Sequence, residues 1–254
     1  MKLIDSHAHL TDEAFDEDRS FIIRDLSNFS IETVINPGTN LADSKKAVDL
    51  AKEYNNIYAQ VGIHPEEIED MGEDDLAQIE ELAQNDRVVA IGEIGLDYYY
   101  RDDNKKEQTE VFRAQLDLAR KANKPVVVHT REVGYDAYEI LKDYTDLKVQ
   151  IHCFSEGEDL LQKYMDLGFY ISIGGVVTFK NGLNEKAAAA LCPIERLMLE
   201  TDSPYLSPEP YRGKRNDPRR IIEIARAIAD IRGMDLKKLC KRTSKNAQEF
   251  FGIK

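Results

Sequence analysis

Eight short apolar runs, each followed by a longer amphipathic one, recur along the 254 residues, and no other feature restricts the fold as much. The runs are Lys2–Ser6, Glu32–Asn36, Ile57–Val61, Val88–Gly92, Pro125–Val128, Lys148–Ile151, Phe169–Ile173 and Arg196–Leu199. They are rich in Val and Ile and mostly not alternating, the pattern of strands buried on both faces. Between them, apolar residues return at helical spacing in Ser20–Phe29, Leu41–Tyr54, Asp74–Gln84, Asn104–Ala122, Tyr135–Tyr144, Glu158–Leu167, Asn184–Leu191 and Pro218–Ile231. Strand–helix alternation predicts a parallel sheet, and the count of eight predicts a closed α/β barrel of the (β/α)8, TIM type. One barrel domain over 1–254 suits the length, with a helical tail from about 234. Asp235 is placed to cap one short helix of that tail, and Ser244 a second that ends at Gly252. The open doubly wound sheet is the rival, but no Gly-x-Gly-x-x-Gly follows the first strand.

In such barrels the chemistry sits at the C-terminal ends of the strands, so the residues after each run are the ones to inspect. His7 and His9 follow the first run, His64 the third, His129 the fifth and His152 the sixth. Those are all five histidines of the chain, and none falls in a predicted helix. Glu93 and Asp97 follow the fourth run, and Glu200 and Asp202 the eighth. Taken singly, each has a plain structural explanation: a core histidine, a carboxylate paired with an arginine, or an N-cap. Their joint placement at strand ends is what a metal site at a barrel mouth requires. His7 and His9 are i and i+2 in an extended segment, so both project to one side. Four histidines with two or three carboxylates exceed what one zinc usually takes. They fit two divalent ions sharing a carboxylate. Glu93 is the expected bridge, His7 and His9 with Asp202 hold one ion, and His129 with His152 hold the other. Barrel closure brings strand eight beside strand one, and so Asp202 beside His7 and His9.

At this point the motifs are recognisable. Asp5–Leu10 (DSHAHL), Gly62–Pro65 (GIHP), Gly92–Tyr98 (GEIGLDY), His152–Ser155 (HCFS), Glu200–Leu206 (ETDSPYL) and Tyr211–Pro218 (YRGKRNDP) resemble the TatD family of metal-dependent hydrolases. Thr243, Asn246 and Phe250 resemble its closing segment. The resemblance implies an amidohydrolase-like barrel, and it matches His7, His9, Glu93, His129, His152 and Asp202 to the family's metal ligands. It also implies metal-dependent deoxyribonuclease activity, including 3′–5′ trimming of single strands. One departure stands out: Glu156 follows His-Cys-Phe-Ser where the family commonly has glycine. It brings a negative charge close to the expected phosphate position.

The expected mechanism is hydrolysis by a metal-activated water, with Asp202 orienting the water and accepting its proton and Glu93 bridging the ions. Histidine-rich ligation suits Zn2+ or Mn2+ better than Mg2+, although the family's nuclease activity is often associated with Mg2+. The formal net charge of −13 is unusual for a protein that holds nucleic acid by its backbone. Local basic groups must then handle phosphates. Arg212, Lys214, Arg215, Arg219 and Arg220 lie close in sequence to Asp202, with Arg131 just past His129 and Arg101 after Tyr98–Tyr100. The expected substrate contacts are His64, Arg131, Tyr98, Arg212 and Lys214, with at least one of Tyr98–Tyr100 stacking on an unpaired base. The expected partner is DNA, as single strands or short ends, with no obligate protein partner. A second reading keeps the same metal ligands but acts on another ester or an amide, such as an aminoacyl-tRNA ester. A third is a metal-binding partner protein without turnover. Three widely spaced cysteines, no signal-peptide pattern and no apolar run near 20 residues lead to the expectation of a cytoplasmic protein.

Overall fold

The computed structural model describes residues 2–253. Its strands are β1 (Leu3–Asp5), β2 (Ile31–Pro37), β3 (Ile57–Val61), β4 (Val88–Asp97), β5 (Val126–Arg131), β6 (Val149–Ile151), β7 (Tyr170–Ile173) and β8 (Leu197–Leu199). They stand in chain order in one sheet, each parallel to the next. The helices are α1 (Arg19–Asp25), α2 (Leu41–Glu53), α3 (Asp75–Leu82), α4 (Lys105–Ala122), α5 (Asp136–Leu141), α6 (Glu158–Asp166), α7 (Leu183–Leu191), α8 (Ile221–Arg232) and α9 (Leu236–Phe251). The ends of the sheet meet, because the Ser6 amide donates to the Leu199 carbonyl at 3.0 Å. Just above, Asp202 N–H donates to the His7 carbonyl at 2.9 Å and His9 N–H to the Ser203 carbonyl at 2.8 Å. The molecule is a (β/α)8 barrel.

Two strands run further than their apolar pattern. The fourth run stops at Gly92, yet β4 continues to Asp97 with all ten of its residues buried. The fifth stops at Val128, yet β5 continues to Arg131. Each supports the other, since Gly95, Leu96 and Asp97 pair with His129, Thr130 and Arg131. Gly95 permits this: a Cβ there would sit 2.1 Å from the His129 carbonyl oxygen, and its φ is +148°. Between Ile91 and Ile94, β4 carries one residue more than the β5 segment opposite. Such a bulge re-aims side chains, and Glu93 stands in it. Glu93 and His129 are therefore strand residues: His129 pairs with Gly95 of β4, and the Glu93 amide donates to the Gly38 carbonyl at 3.2 Å.

The tail differs from the two short helices expected. Asp235 does cap it, accepting from the Lys238 amide, but α9 then runs without a break to a left-handed Gly252. Ser244 lies mid-helix and donates to the Lys2 carbonyl, so it ties α9 to the start of β1 and caps nothing. Phe250 and Phe251 close the floor of the barrel against Ile4, Val89, Val127 and Met198. Asn246 is fully buried and donates to both the Ile194 and Leu197 carbonyls at 2.7 Å. Asn246→Ala is expected to destabilise the fold by about 1–3 kcal/mol for each carbonyl left without a donor. A lower urea midpoint with an unchanged slope checks this.

Candidate metal centre

Glu93 is almost fully buried, and its two carboxylate oxygens face different groups of side chains. Oε2 lies 3.2 Å from His7 Nε2 and 3.7 Å from His9 Nε2. Oε1 lies 2.7 Å from His152 Nε2, 2.9 Å from His129 Nδ1 and 3.6 Å from His64 Nε2. Asp202 approaches from the far end of the chain, with Oδ1 3.3 Å from His9 Nε2 and 3.9 Å from His7 Nε2. Its φ of 54° turns the chain just past β8 and aims its carboxylate at the first-strand histidines. His7 and His9 present their Nε2 atoms 3.3 Å apart, as do His129 Nδ1 and His152 Nε2.

Three donor sets arise, each with ligand atoms within 4.8 Å of one another: His7, His9 and Asp202; His7, Glu93 and His152; His64, Glu93 and His129. Ligands about 2.0–2.2 Å from one ion lie within about 4.4 Å of each other, and the His7, His9 and Asp202 set, with separations of 3.3, 3.3 and 3.9 Å, meets that in both chemistry and spacing. Among the described residues no lysine or arginine pairs with Glu93 or Asp202. The division is less simple than the sequence implies, because His152 stacks on His7 with ring centres 4.1 Å apart. It thus touches both halves.

Burial pushes the Glu93 carboxyl up, but His152, His7, His64 and the His129 contact outweigh that and hold it well below the carboxylate range. Asp202 is likewise raised by burial and lowered further by His9, His152 and His7, to a net depression. Both carboxylates are thus ionised near neutrality, as ligands must be. His64 is pushed down to about 3, by burial first and by neighbouring His129 second. Its Nδ1 accepts the Glu66 backbone N–H at 3.2 Å, so the neutral ring carries its hydrogen on Nε2, 3.6 Å from Glu93 Oε1. His64 joins the cluster as a donor of a hydrogen bond.

Supporting residues outside the expected ligand set hold these groups. The Asp5 carboxylate, fully buried, accepts from Thr201 N–H at 2.9 Å, Thr201 Oγ at 2.5 Å and His7 N–H at 3.3 Å. It stitches β1 to β8 beneath the His7–Asp202 contact, and burial pushes its carboxyl up to about 8. Asp97 Oδ2 lies 2.9 Å from His129 Nε2, which turns Nδ1 toward Glu93. From α4, Gln108 bonds both the amide and carbonyl of Asp97, and Gln115 both those of Ile63, beside His64. The visible signal was two glutamines seven apart on the apolar face of a helix.

The expected substrate contacts fare unequally. Arg212 and Lys214 are exposed, and neither has a carboxylate within 4 Å among the described residues; the Arg212 guanidinium lies 4.3 Å from the Phe179 ring centre. Arg131 rests 3.8 Å above Tyr99 and 5.0 Å from Tyr100, both exposed. Of the three tyrosines, Tyr98 packs: Lys105 covers its ring at 4.3 Å and its hydroxyl donates to Asp136, which leaves Tyr99 and Tyr100 as the exposed rings. The broader patch is corrected. Arg215 grips Asp18 with both terminal nitrogens, Arg219 bridges Asp217 and Asp25, Arg220 donates to Ser207, and Arg101 pairs with Glu69 and Asp103. Sequence shows the charges, but not these partners. Tyr205 was missed: its ring centre lies 5.7 Å from that of His9, at the mouth. Glu156 is half-buried with no ion pair among the described residues, and burial raises its carboxyl.

A sequence profile described as TatD related DNase matches residues 4–252. The chain belongs to the TatD family. A Bacillus subtilis (strain 168) relative, the uncharacterized metal-dependent hydrolase YabD, is 39% identical over 253 residues, covering 99% of each chain. The crystal structure of YJJV, a TatD homologue from Escherichia coli K12, superposes with a TM-score of 0.93 at 25% identity, covering 99% of this chain and 98% of that one. A phosphotriesterase homology protein from Escherichia coli, solved with phosphate in its active site, shares the fold with a TM-score of 0.68 at 15% identity, over 98% of both chains. As a TatD protein the chain is a metal-dependent hydrolase. The motif residues His7, His9, Glu93, His152 and Asp202 converge on one cluster, whereas the closing segment packs beneath the barrel.

Proposed function

We propose that this TatD protein hydrolyses phosphodiester bonds at DNA ends, as a 3′–5′ exonuclease on single-stranded or frayed substrates. The observation that carries a two-ion centre is the division of Glu93, whose Oε2 faces His7 and His9 while Oε1 faces His129 and His152. His7, His9 and Asp202 would hold one divalent ion, and His129 and His152 the other, with Glu93 between them. Bound there, Mg2+, Mn2+ or Zn2+ would acidify a water and neutralise phosphoryl oxygens. Asp202, ionised and only 9% exposed, orients the attacking water and takes its proton. His64 presents its Nε2 hydrogen to the substrate from the opposite wall. Arg212 and Lys214 reach the backbone phosphates, and Arg131 on its tyrosine platform meets the terminal nucleotide.

Among the described residues Arg215 and Arg219 of the patch of five are paired with carboxylates and Arg220 is tied to Ser207, which leaves Arg212 and Lys214 free for phosphate and favours short contacts on strand ends over long duplex. Among the described residues no helix is long and apolar enough to cross a membrane, and the three free thiols fit a reducing cytoplasm.

The test is incubation with 3′-labelled single-stranded DNA, an aminoacyl ester and a cyclic amide, with each ion and with EDTA. Mononucleotide release from the 3′ end, stopped by EDTA, is expected. Turnover of the ester or amide without DNA cleavage would reassign the substrate. Arg212→Ala and Lys214→Ala are each expected to weaken oligonucleotide affinity and reduce its salt slope by about one. Titration at several salt concentrations reads both effects.

A further inference from the structure

Each histidine turned toward Glu93 has a second ring nitrogen, and its partner decides where the ring hydrogen sits. For His129 that partner is a carboxylate, Asp97, which only accepts. For His7 it is a neutral amide. Gln60 on β3 is fully buried and places Nε2 3.0 Å from His7 Nδ1. In that orientation the amide donates to Nδ1, so the ring hydrogen belongs on Nε2, which faces Glu93 Oε2 at 3.2 Å. The other end of the amide, Oε1, is buried with no hydrogen-bond partner among the described residues. It lies beside Gly92, where an added Cβ would come within 3.3 Å of it.

An amide oxygen and nitrogen are alike in size, so hydrogen bonding decides which end points where. Half a turn of the Gln60 amide exchanges its ends without moving the backbone. Oε1 then takes the place facing Nδ1 and accepts a hydrogen from it. His7 must in that case carry its hydrogen on Nδ1, leaving the Nε2 lone pair directed at Glu93, His9 and Asp202. A cation needs that lone pair.

We infer that Gln60 is a positioning residue for His7, its otherwise unpaired Oε1 accepting the Nδ1 hydrogen when Nε2 ligates an ion. Turned the other way, the same amide supports the opposite tautomer. An amide serves both because it owns a donor and an acceptor, whereas Asp97 serves His129 only as an acceptor. This rests on the reading of His7 as a metal ligand, and the experiment separates the two.

Zn2+ and Mn2+ affinities are measured by chelator competition for the wild type, His7→Ala and Gln60→Met, which keeps the shape and removes the amide. Gln60→Met is expected to bind 10–100-fold more weakly while still folding cooperatively before metal is added. Weak binding by His7→Ala beside wild-type affinity in Gln60→Met would overturn the inference alone. Unchanged affinity in His7→Ala would overturn the ligand reading and the inference with it. If Gln60→Met does not fold, 15N spectra of the wild-type His7 ring decide. Addition of Zn2+ is expected to place the hydrogen on Nδ1 and to shift the Gln60 side-chain carbonyl 13C resonance with it; a hydrogen on Nδ1 with that resonance unmoved refutes the inference alone, and a hydrogen kept on Nε2 refutes the ligand reading with it.

Discussion

Glu93→Gln is expected to abolish turnover, by at least about 10^4-fold, and to lower bound metal from the two ions per chain proposed above to one or none. The substitution is isosteric, so the β4 bulge and the barrel keep their shape. What changes is charge and lone pairs. At present one oxygen meets His152 at 2.7 Å and His129 at 2.9 Å, and the other meets His7 at 3.2 Å. Glutamine replaces one of those acceptors by an N–H2 donor, which cannot ligate a cation and repels one. It also removes the negative charge that the clustered imidazoles face in a buried site, where an uncompensated charge is costly. A loss of 10^4 corresponds to about 5.5 kcal/mol of transition-state stabilisation, within what a bridged pair of ions contributes. Metal content by elemental analysis and hydrolysis of labelled DNA are measured on the same preparation. Two ions retained with wild-type turnover would remove Glu93 from the bridge.

Asp202→Asn separates catalysis from metal holding. Asparagine keeps an oxygen to face His9, now 3.3 Å away, and keeps the backbone hydrogen bond from its amide to His7. It cannot accept a proton. The expected outcome is a fall in kcat of about 10^2–10^4 with KM and metal content close to wild type. The pH profile adds a second readout, since loss of the base removes the acidic limb of the rate curve. Unchanged kcat with metal retained would reassign the base. Loss of metal together with activity would make Asp202 a ligand before anything else.

The substrate contacts illustrate what a one-dimensional reading cannot resolve. Five basic residues after β8 look equivalent as letters, yet Arg215 and Arg219 are consumed by Asp18, Asp25 and Asp217. Asp18 and Asp25 lie on the opposite end of the chain, and nothing local couples them to the arginines. Tyr98, Tyr99 and Tyr100 look equivalent too, but only the first turns inward onto α4 and α5. Chain direction past β4, fixed by pairing with β5, decides which ring packs and which stand in solvent.

Local physics wrote the barrel into the sequence. Apolar runs of strand length, helical spacing between them and histidines only at strand ends depend on near neighbours, and they suffice for element order and for naming the side chains that gather around Glu93. His7 and His9 needed no more than a shared side of an extended segment. The tertiary structure decided everything that joins distant residues. Asp5 meets Thr201 across 196 positions, Gln60 meets His7 across 53, and Arg215 meets Asp18 across 197. Contacts that far apart leave no periodic trace, because closure of the sheet, and not the spacing of the letters, sets which atoms meet. That closure also turned the two oxygens of Glu93 toward different histidines.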